Sequence, residues 1–333
     1  MGKPIMAICD RQAAYTNQLI ALFQEKKELP FEIHGFTKSE SLQEFCDENK
    51  IALLLISEPD YREELREKEI DRILVLREGT GNLPEYVATV NKFQPAGILY
   101  REIMRVYGEG ENIVPFQKTG KKQIRLIGVY SPIHCCMQTT FTLTAGEILA
   151  KRKKTLYLNF ESFSGFETLL GRRFDGNLTD ILYYYDCAKE KLAYKLESIV
   201  QKMGELYFIP PASSYEDFRD IKEEEWLALI TGVAEAGGYE AVLLDLTEQV
   251  RGVYALLEGC DKIYTLIRED RMAKAKLAQY ELLLEQRDYQ KIRERTEKCR
   301  LPFLKNVPVK FEYAGHGELA EYVEKLLRED GFL

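Results

Sequence analysis

Histidine is scarce, with three residues in the chain, and the seven cysteines include no CxxC pair and no zinc-ligand spacing. An odd, scattered set of thiols predicts reduced cysteines and excludes a disulfide-stapled fold. Long apolar runs are missing: the most apolar, Ile51 to Ile56, has six residues, against the ~20 that a membrane helix requires. Met1 to Asp10 has neither a basic n-region nor a signal-length apolar stretch, so the expectation is a cytoplasmic protein without an integral membrane segment. Positive charge is not in excess either. The net charge of −8 argues against nucleic acid as a partner, because such binding rests on neutralising phosphates.

What is present is enough apolar surface to fold. Hydrophobic residues make up 45% of the chain and aromatics 11%, which excludes wholesale disorder. The 333 residues suggest about two domains at roughly 150 residues each. The first half alternates short apolar strands with helical spacing: strands at Pro4 to Cys9, Phe31 to Phe36, Ile51 to Ile56, Arg72 to Leu76 and Gly97 to Tyr100. Helices are predicted at Arg11 to Lys26, Ser41 to Asn49 and Glu85 to Asn91. Strands apolar on both faces imply a parallel sheet covered by helices on each side. Gly108 to Lys122 breaks the pattern with glycine, lysine and Pro115. The second half restarts with strands at Ile124 to Tyr130, Thr155 to Phe160, Leu206 to Ile209, Ala241 to Leu246 and Lys262 to Ile267. Its helices are predicted at Thr139 to Lys151, Asp217 to Ala236 and Asp270 to Arg295. The amphipathic end, Gly317 to Arg328, has a mostly acidic polar face, which favours core packing over a membrane surface. The expected class is α/β, two doubly wound parallel-sheet domains at 1–110 and 123–333 joined by a linker at 111–122.

Residues 3 to 107 resemble the receiver domains of response regulators in strand pattern and size. A working receiver carries acidic residues after its first strand, a phosphate-accepting Asp after the third, a hydroxyl after the fourth and a Lys after the fifth. Asp10 fits the first of these. Ser57 and Glu58 follow the third strand, Leu76 and Arg77 end the fourth, and Tyr100 and Arg101 end the predicted fifth. Glu58 reads either as a mimic of a phosphorylated residue or as an ordinary loop carboxylate. The domain is expected to be a pseudo-receiver used for docking or dimerisation.

The second domain opens with a strand, the loop SPIHCCMQTT (Ser131 to Thr140) and a helix, the place where a phosphate-binding loop sits. With LYLNFESFSGF (Leu156 to Phe166), NLTDILYY (Asn177 to Tyr184), LYFIPP (Leu206 to Pro211) and YEAVLLDL (Tyr239 to Leu246), residues 122 to 330 resemble the MinD/ParA group of deviant P-loop ATPases. The added receiver-like domain resembles the TadZ/CpaE branch. The family's loop reads KGGxGKTT. Aligned on Thr139 and Thr140, Ile133 stands at the signature lysine, His134, Cys135 and Met137 at the three glycines, and Gln138 at the P-loop lysine. The resemblance implies Thr139 and Asp245 as magnesium ligands should nucleotide bind, and Gln138, Thr139 and Thr140 as what remains of the phosphate loop. Glu161 falls where the family keeps the Asp that positions attacking water, and Asn159 replaces another strand-end Asp. Asp245 reads equally as a strand-terminal acid. Loss of two lysines and three glycines removes the charge and bare backbone that phosphate requires, so no cofactor is expected to bind with high affinity, with ATP and magnesium as the alternative.

His134, Cys135 and Cys136 suggest a metal or nucleophile site, but adjacent cysteines cannot easily share one tetrahedral ion and no second ligand pair completes one; small residues filling an empty pocket are the simpler account. Lys151 to Lys154 and Lys291 to Arg300 could touch DNA, yet the first is a helix end that suits cations and the second mixes both signs. The resemblance implies a homodimeric localisation factor or scaffold for a Tad-type pilus or secretion machine, at a pole or membrane through its partners. The alternative is a weak magnesium-dependent ATPase using Thr139, Asp245 and Glu161.

Overall fold

The computed structural model of the chain describes residues 3–25, 29–79, 83–110, 123–134, 137–218, 221–302 and 316–333. The chain divides into two units, Met1–Thr119 with Ala188–Ser198, and Gly120–Cys187 with Ile199–Leu333. In order, the first contains β1 (Ile5–Cys9), α1 (Ala13–Gln24), β2 (Glu32–Phe36), α2 (Ser39–Glu48), β3 (Ile51–Ser57), β4 (Ile73–Arg77), β5 (Thr89–Asn91) and α3 (Ala96–Gly108).

The first sheet is wholly parallel, in the order β2-β1-β3-β4-β5. This is the flavodoxin-like doubly wound order. Side chains alternate across each strand. Met6 and Ile8 enter one core with Leu19 and Phe23 of α1 and Leu99, Ile103 and Met104 of α3. Ala7 and Cys9 enter the opposite core with Leu42 and Cys46 of α2. All seven residues of β3 are buried. Each such Leu- or Ile-sized side chain taken from water contributes ~1.5–3 kcal/mol.

Two expectations fail here. The fifth strand is Thr89–Asn91 where a helix was predicted, and Gly97 to Tyr100 lies in a helix where a strand was predicted. Thr89 and Val90 are β-branched and suit a strand. Pro95, at φ −53°, then enters α3. The buried positions Leu99, Tyr100, Ile103, Met104 and Tyr107 repeat with helical spacing. Four apolar letters read alone hid that period. The predicted linker, 111–122, lies outside the described residues.

The second half contains β6 (Arg125–Tyr130), α4 (Gln138–Ala150), β7 (Thr155–Asn159), α5 (Phe166–Leu170), α6 (Leu178–Cys187), α7 (Leu192–Ile199), β8 (Gln201–Met203), β9 (Leu206–Phe208), α8 (Glu225–Gly237), β10 (Ala241–Leu246), α9 (Val253–Gly259), β11 (Lys262–Ile267), α10 (Arg271–Gln286), α11 (Gln290–Arg295), β12 (Thr296–Arg300) and α12 (Glu318–Glu329). Nearly all of α7 belongs to the first unit, where Tyr194 packs edge-on against Tyr107 at 5.1 Å and Glu197 accepts the Tyr100 hydroxyl at 2.9 Å.

The second sheet runs β12-β11-β6-β10-β7-β9-β8, parallel except for the β8–β9 hairpin. The predicted helix Asp270 to Arg295 is two helices, broken where Asp288 takes φ +57°, and β12 follows directly. The predicted helix from Asp217 starts at Glu225 instead. Helix α4 is buried along most of its length, and Leu319, Val323 and Leu327 of α12 share its core. The amphipathic end therefore packs inward. No helix among the described residues is long and apolar enough to cross a membrane. Strand β6 lies between β11 and β10, while the chain passes from it to β7 beyond β10. That reversal opens a crevice at the carboxyl ends of β6, β10 and β7, where doubly wound sheets bind ligands.

Candidate functional site

The loop after β6 begins with Ser131, whose Oγ donates to the Leu266 carbonyl at 2.8 Å and ties the loop to β11. A turn follows, closed by the His134 N–H on the Ser131 carbonyl at 3.0 Å. His134 and Met137 take φ of +53° and +76°, left-handed backbone that costs a side-chain-bearing residue roughly 1–2 kcal/mol. These are two of the three positions where the resemblance places glycine. Cys135 and Cys136 lie outside the described residues. Ile133, in the register of the signature lysine, is buried.

Asp245 is the penultimate residue of β10 and is fully buried. Gln138 Nε2, at the start of α4, donates to Oδ1 at 2.7 Å and also to the Leu246 carbonyl at 3.0 Å. Tyr157 Oη donates to Oδ2 at 2.8 Å, and Asn159 Nδ2 reaches the same oxygen at 3.4 Å. Thr139 adds a further hydrogen bond. Among the described residues these donors are all neutral. Burial pushes the Asp245 carboxyl above the usual range, and the bonds from Gln138, Thr139 and Tyr157 oppose the rise.

Two more carboxylates face this group. Glu161 follows β7, its N–H held by Asn159 Oδ1 at 2.9 Å. Burial first, then the charges of Asp245 and Glu248, lift the Glu161 carboxyl to about 7. Glu248 accepts the Tyr130 hydroxyl at 2.8 Å, and the exposed His134 ring stands 3.8 Å from it. The fold thus brings Gln138, Thr139, Glu161 and Asp245 to one crevice. The Thr140 carbonyl accepts the Thr144 hydroxyl at 2.8 Å. Sequence reasoning missed Tyr157 and Glu248. A tyrosine inside the apolar strand TLYLN reads as core, and Glu248 could have been found from its place just past the strand-end Asp245.

A pH dependence follows. Unfolded Glu161 titrates near its ordinary 4.5 and the folded residue near 7, so the native state holds the extra proton. Its contribution is present in full below pH 4.5 and is lost as pH rises through 7. The expected loss is roughly 1–2 kcal/mol after solvent screening. Glu161→Gln should flatten that slope in urea titrations at pH 5 and pH 8; equal slopes in both proteins would refute the assignment.

The first unit holds a second polar cluster. Because β5 is Thr89–Asn91, the residue that follows the fifth strand is Lys92, not Tyr100 or Arg101. Two positions therefore match the receiver pattern, Asp10 and Lys92. Lys92 is buried, with Nζ 2.5 Å from Asp10 Oδ2, 2.6 Å from Glu78 Oε1 and 4.6 Å from the centre of the Tyr15 ring. Burial works against the ammonium, but the bonds to Asp10 and Glu78 outweigh it and its pKa ends above the ordinary lysine value. Ser57 donates to Asp60 Oδ2 at 2.7 Å, and Arg11 Nε pairs with Asp60 Oδ1 at 2.7 Å. Glu58 Oε2 accepts the N–H groups of Glu78 and Gly79 at 2.8 and 3.1 Å. It anchors the turn after β4, as an ordinary loop carboxylate does.

Several residues of the basic stretches are engaged within the fold. Lys153 Nζ donates to the Phe332 carbonyl at 2.8 Å, and Lys154 lies over the rings of Tyr207 and Tyr239. Arg295 donates to the carbonyls of Glu258 and Cys260, and Arg300 pairs with Glu269. Among the described residues no group of three or more His, Cys, Asp or Glu side chains is placed to hold a metal ion.

No protein-family model matches the chain, and no curated protein matches it in sequence. Solved structures are similar to about half of it. A ParA family ATPase from Chlorobium tepidum TLS is 19% identical over 53% of this chain and 73% of its own, with a TM-score of 0.44. The MinC:MinD cell division protein complex of Aquifex aeolicus matches at 19% identity over 53% and 68%, with a TM-score of 0.40. The septum site-determining protein MinD of Pyrococcus horikoshii OT3, complexed with Mg-ADP, matches at 16% over 50% and 66%, with a TM-score of 0.37.

Proposed function

We propose that this chain is a non-catalytic, TadZ/CpaE-like localisation or scaffold protein, a cytoplasmic homodimer that positions a Tad-type pilus or secretion assembly. In this reading the crevice at β6, β10 and β7 does not take ATP with magnesium in the phosphate-loop manner. The observation that carries it is the closed shell of neutral donors on Asp245, with Gln138 in place of a lysine. A polyphosphate would enter beside Asp245, Glu161 and Glu248 with no lysine at either loop position to offset its charge, a deficit of a few kcal/mol in a partly buried site. His134 and Met137 hold left-handed backbone where the resemblance places the glycines whose bare backbone would meet phosphate. The residues present therefore do not fit the nucleotide. The first unit, with Lys92 already neutralised by Asp10 and Glu78 and with Ser57 where an acceptor Asp would stand, serves docking or dimerisation in place of phosphotransfer.

The second reading, a magnesium-dependent ATPase, has one observation in its favour: Thr139, Glu161 and Asp245 do meet in one crevice. Titrating the full chain with a fluorescent ATP analogue and magnesium separates the two. The expected result is no saturation up to about 1 mM. Saturable binding at micromolar concentration, with hydrolysis abolished by Asp245→Ala, would establish the ATPase instead.

A further inference from the structure

Between α10 and the β11–β12 edge of the second sheet lies a cavity of about 450 Å³, with Thr265, Leu277, Tyr280, Leu284, Glu285 and Arg293 in its lining. That volume suits a small organic molecule. The parallel register sets Thr265 beside Tyr130 on one side and Lys298 on the other, so the three share a face of the sheet. Thr265 is 1% exposed and Tyr280 7%, and neither hydroxyl has a hydrogen-bond partner among the described residues. A hydroxyl buried in this way costs ~1–3 kcal/mol, and both residues are in the lining of one cavity. Such a cost persists where something other than stability is served.

The charges lining the cavity narrow the ligand. Lys298 is paired with Glu281. Arg293 and Glu285 belong to no ion pair among the described residues, although both line the same cavity. One uncompensated cation and one uncompensated anion beside leucine walls complement a molecule that carries both signs and an apolar group. We propose that this cavity is a binding site for a small zwitterion of the amino-acid class, its carboxylate on Arg293, its ammonium on Glu285 and its side chain against Leu277 and Leu284. The Thr265 and Tyr280 hydroxyls supply the remaining hydrogen bonds. The site shares no residue with the Asp245 crevice, so it stands whether or not nucleotide binds there.

The test is calorimetric titration of the full chain with L-leucine and L-tyrosine, against N-acetyl-L-leucine, which lacks the ammonium, and L-leucinamide, which lacks the carboxylate. The expected result is saturable binding of a free amino acid, weakened at least about tenfold in either blocked analogue and in Arg293→Gln or Glu285→Gln. Both substituted side chains are exposed, so folding should survive. Thr265→Val and Tyr280→Phe should weaken binding while raising the unfolding temperature of the free protein, because each removes an unpaired buried hydroxyl. Absence of binding up to about 10 mM would overturn the proposal. So would binding indifferent to Arg293→Gln and Glu285→Gln, or hydroxyl removal that lowers the free protein's stability.

Discussion

Lys92→Met is expected to destabilise the first unit by about 3–5 kcal/mol, the cost of breaking a buried ion pair by removing one partner. The ammonium sits 1% exposed between Asp10, at 2%, and Glu78, at 30%. With it gone, Glu78 can turn toward water, whereas Asp10 is left buried and, among the described residues, held only by the Gln12 N–H at 2.8 Å. The contact with the Tyr15 ring is lost as well. A second substitution tests the cause. Asp10→Asn added to Lys92→Met removes the stranded charge and should recover half or more of the loss, since replacing a buried pair costs far less than breaking it. Two units need not unfold together, so the readout is hydrogen exchange of the β1 and β3 amides in the full chain. A single variant within about 1 kcal/mol of the parent would show that the cluster contributes no more than an exposed pair does.

Lys92 also marks where sequence reading stopped. The long buried strands were legible because Ile51 to Ile56 and Ala241 to Leu246 are apolar at every position except Asp245. Strand β5 has three residues and β12 reads TEKCR. Short or charged edge strands carry no hydrophobic period, and pairing sets their place. Once β5 was missed, the lysine after it lost its position in the pattern. The crevice fared better. Gln138, Thr139 and Asp245 lie at strand and helix ends, where topology fixes position, and the fold does bring them together. Tyr157 was hidden because its ring is core while its hydroxyl is part of the crevice, a division that periodicity cannot see.

Restoring the loop with His134→Gly, Cys135→Gly, Met137→Gly and Gln138→Lys together is expected to raise affinity for magnesium-ATP by about 10–100-fold over the parent, the equivalent of one charge-assisted hydrogen bond at ~1.5–3 kcal/mol. Lysine at 138 would also form an ion pair with Asp245 in place of the amide bond at 2.7 Å, which moderates the gain. Glycine removes the penalty at φ +53° and +76°, and at 134 it should add about 1 kcal/mol of stability because that side chain is exposed. At 137 the relief is offset, since Met137 packs against the core. Ile133 is left in place because it is buried, and a lysine there would need a partner to be tolerated. Gln138→Lys alone should gain less than the full set, because the loop keeps non-glycine residues at φ +53° and +76°. A folded quadruple variant with no gain would locate the block elsewhere, in the Tyr157 and Asn159 bonds that close over Asp245. Tyr157→Phe in that background should then release the carboxylate and bring the gain that the loop alone did not.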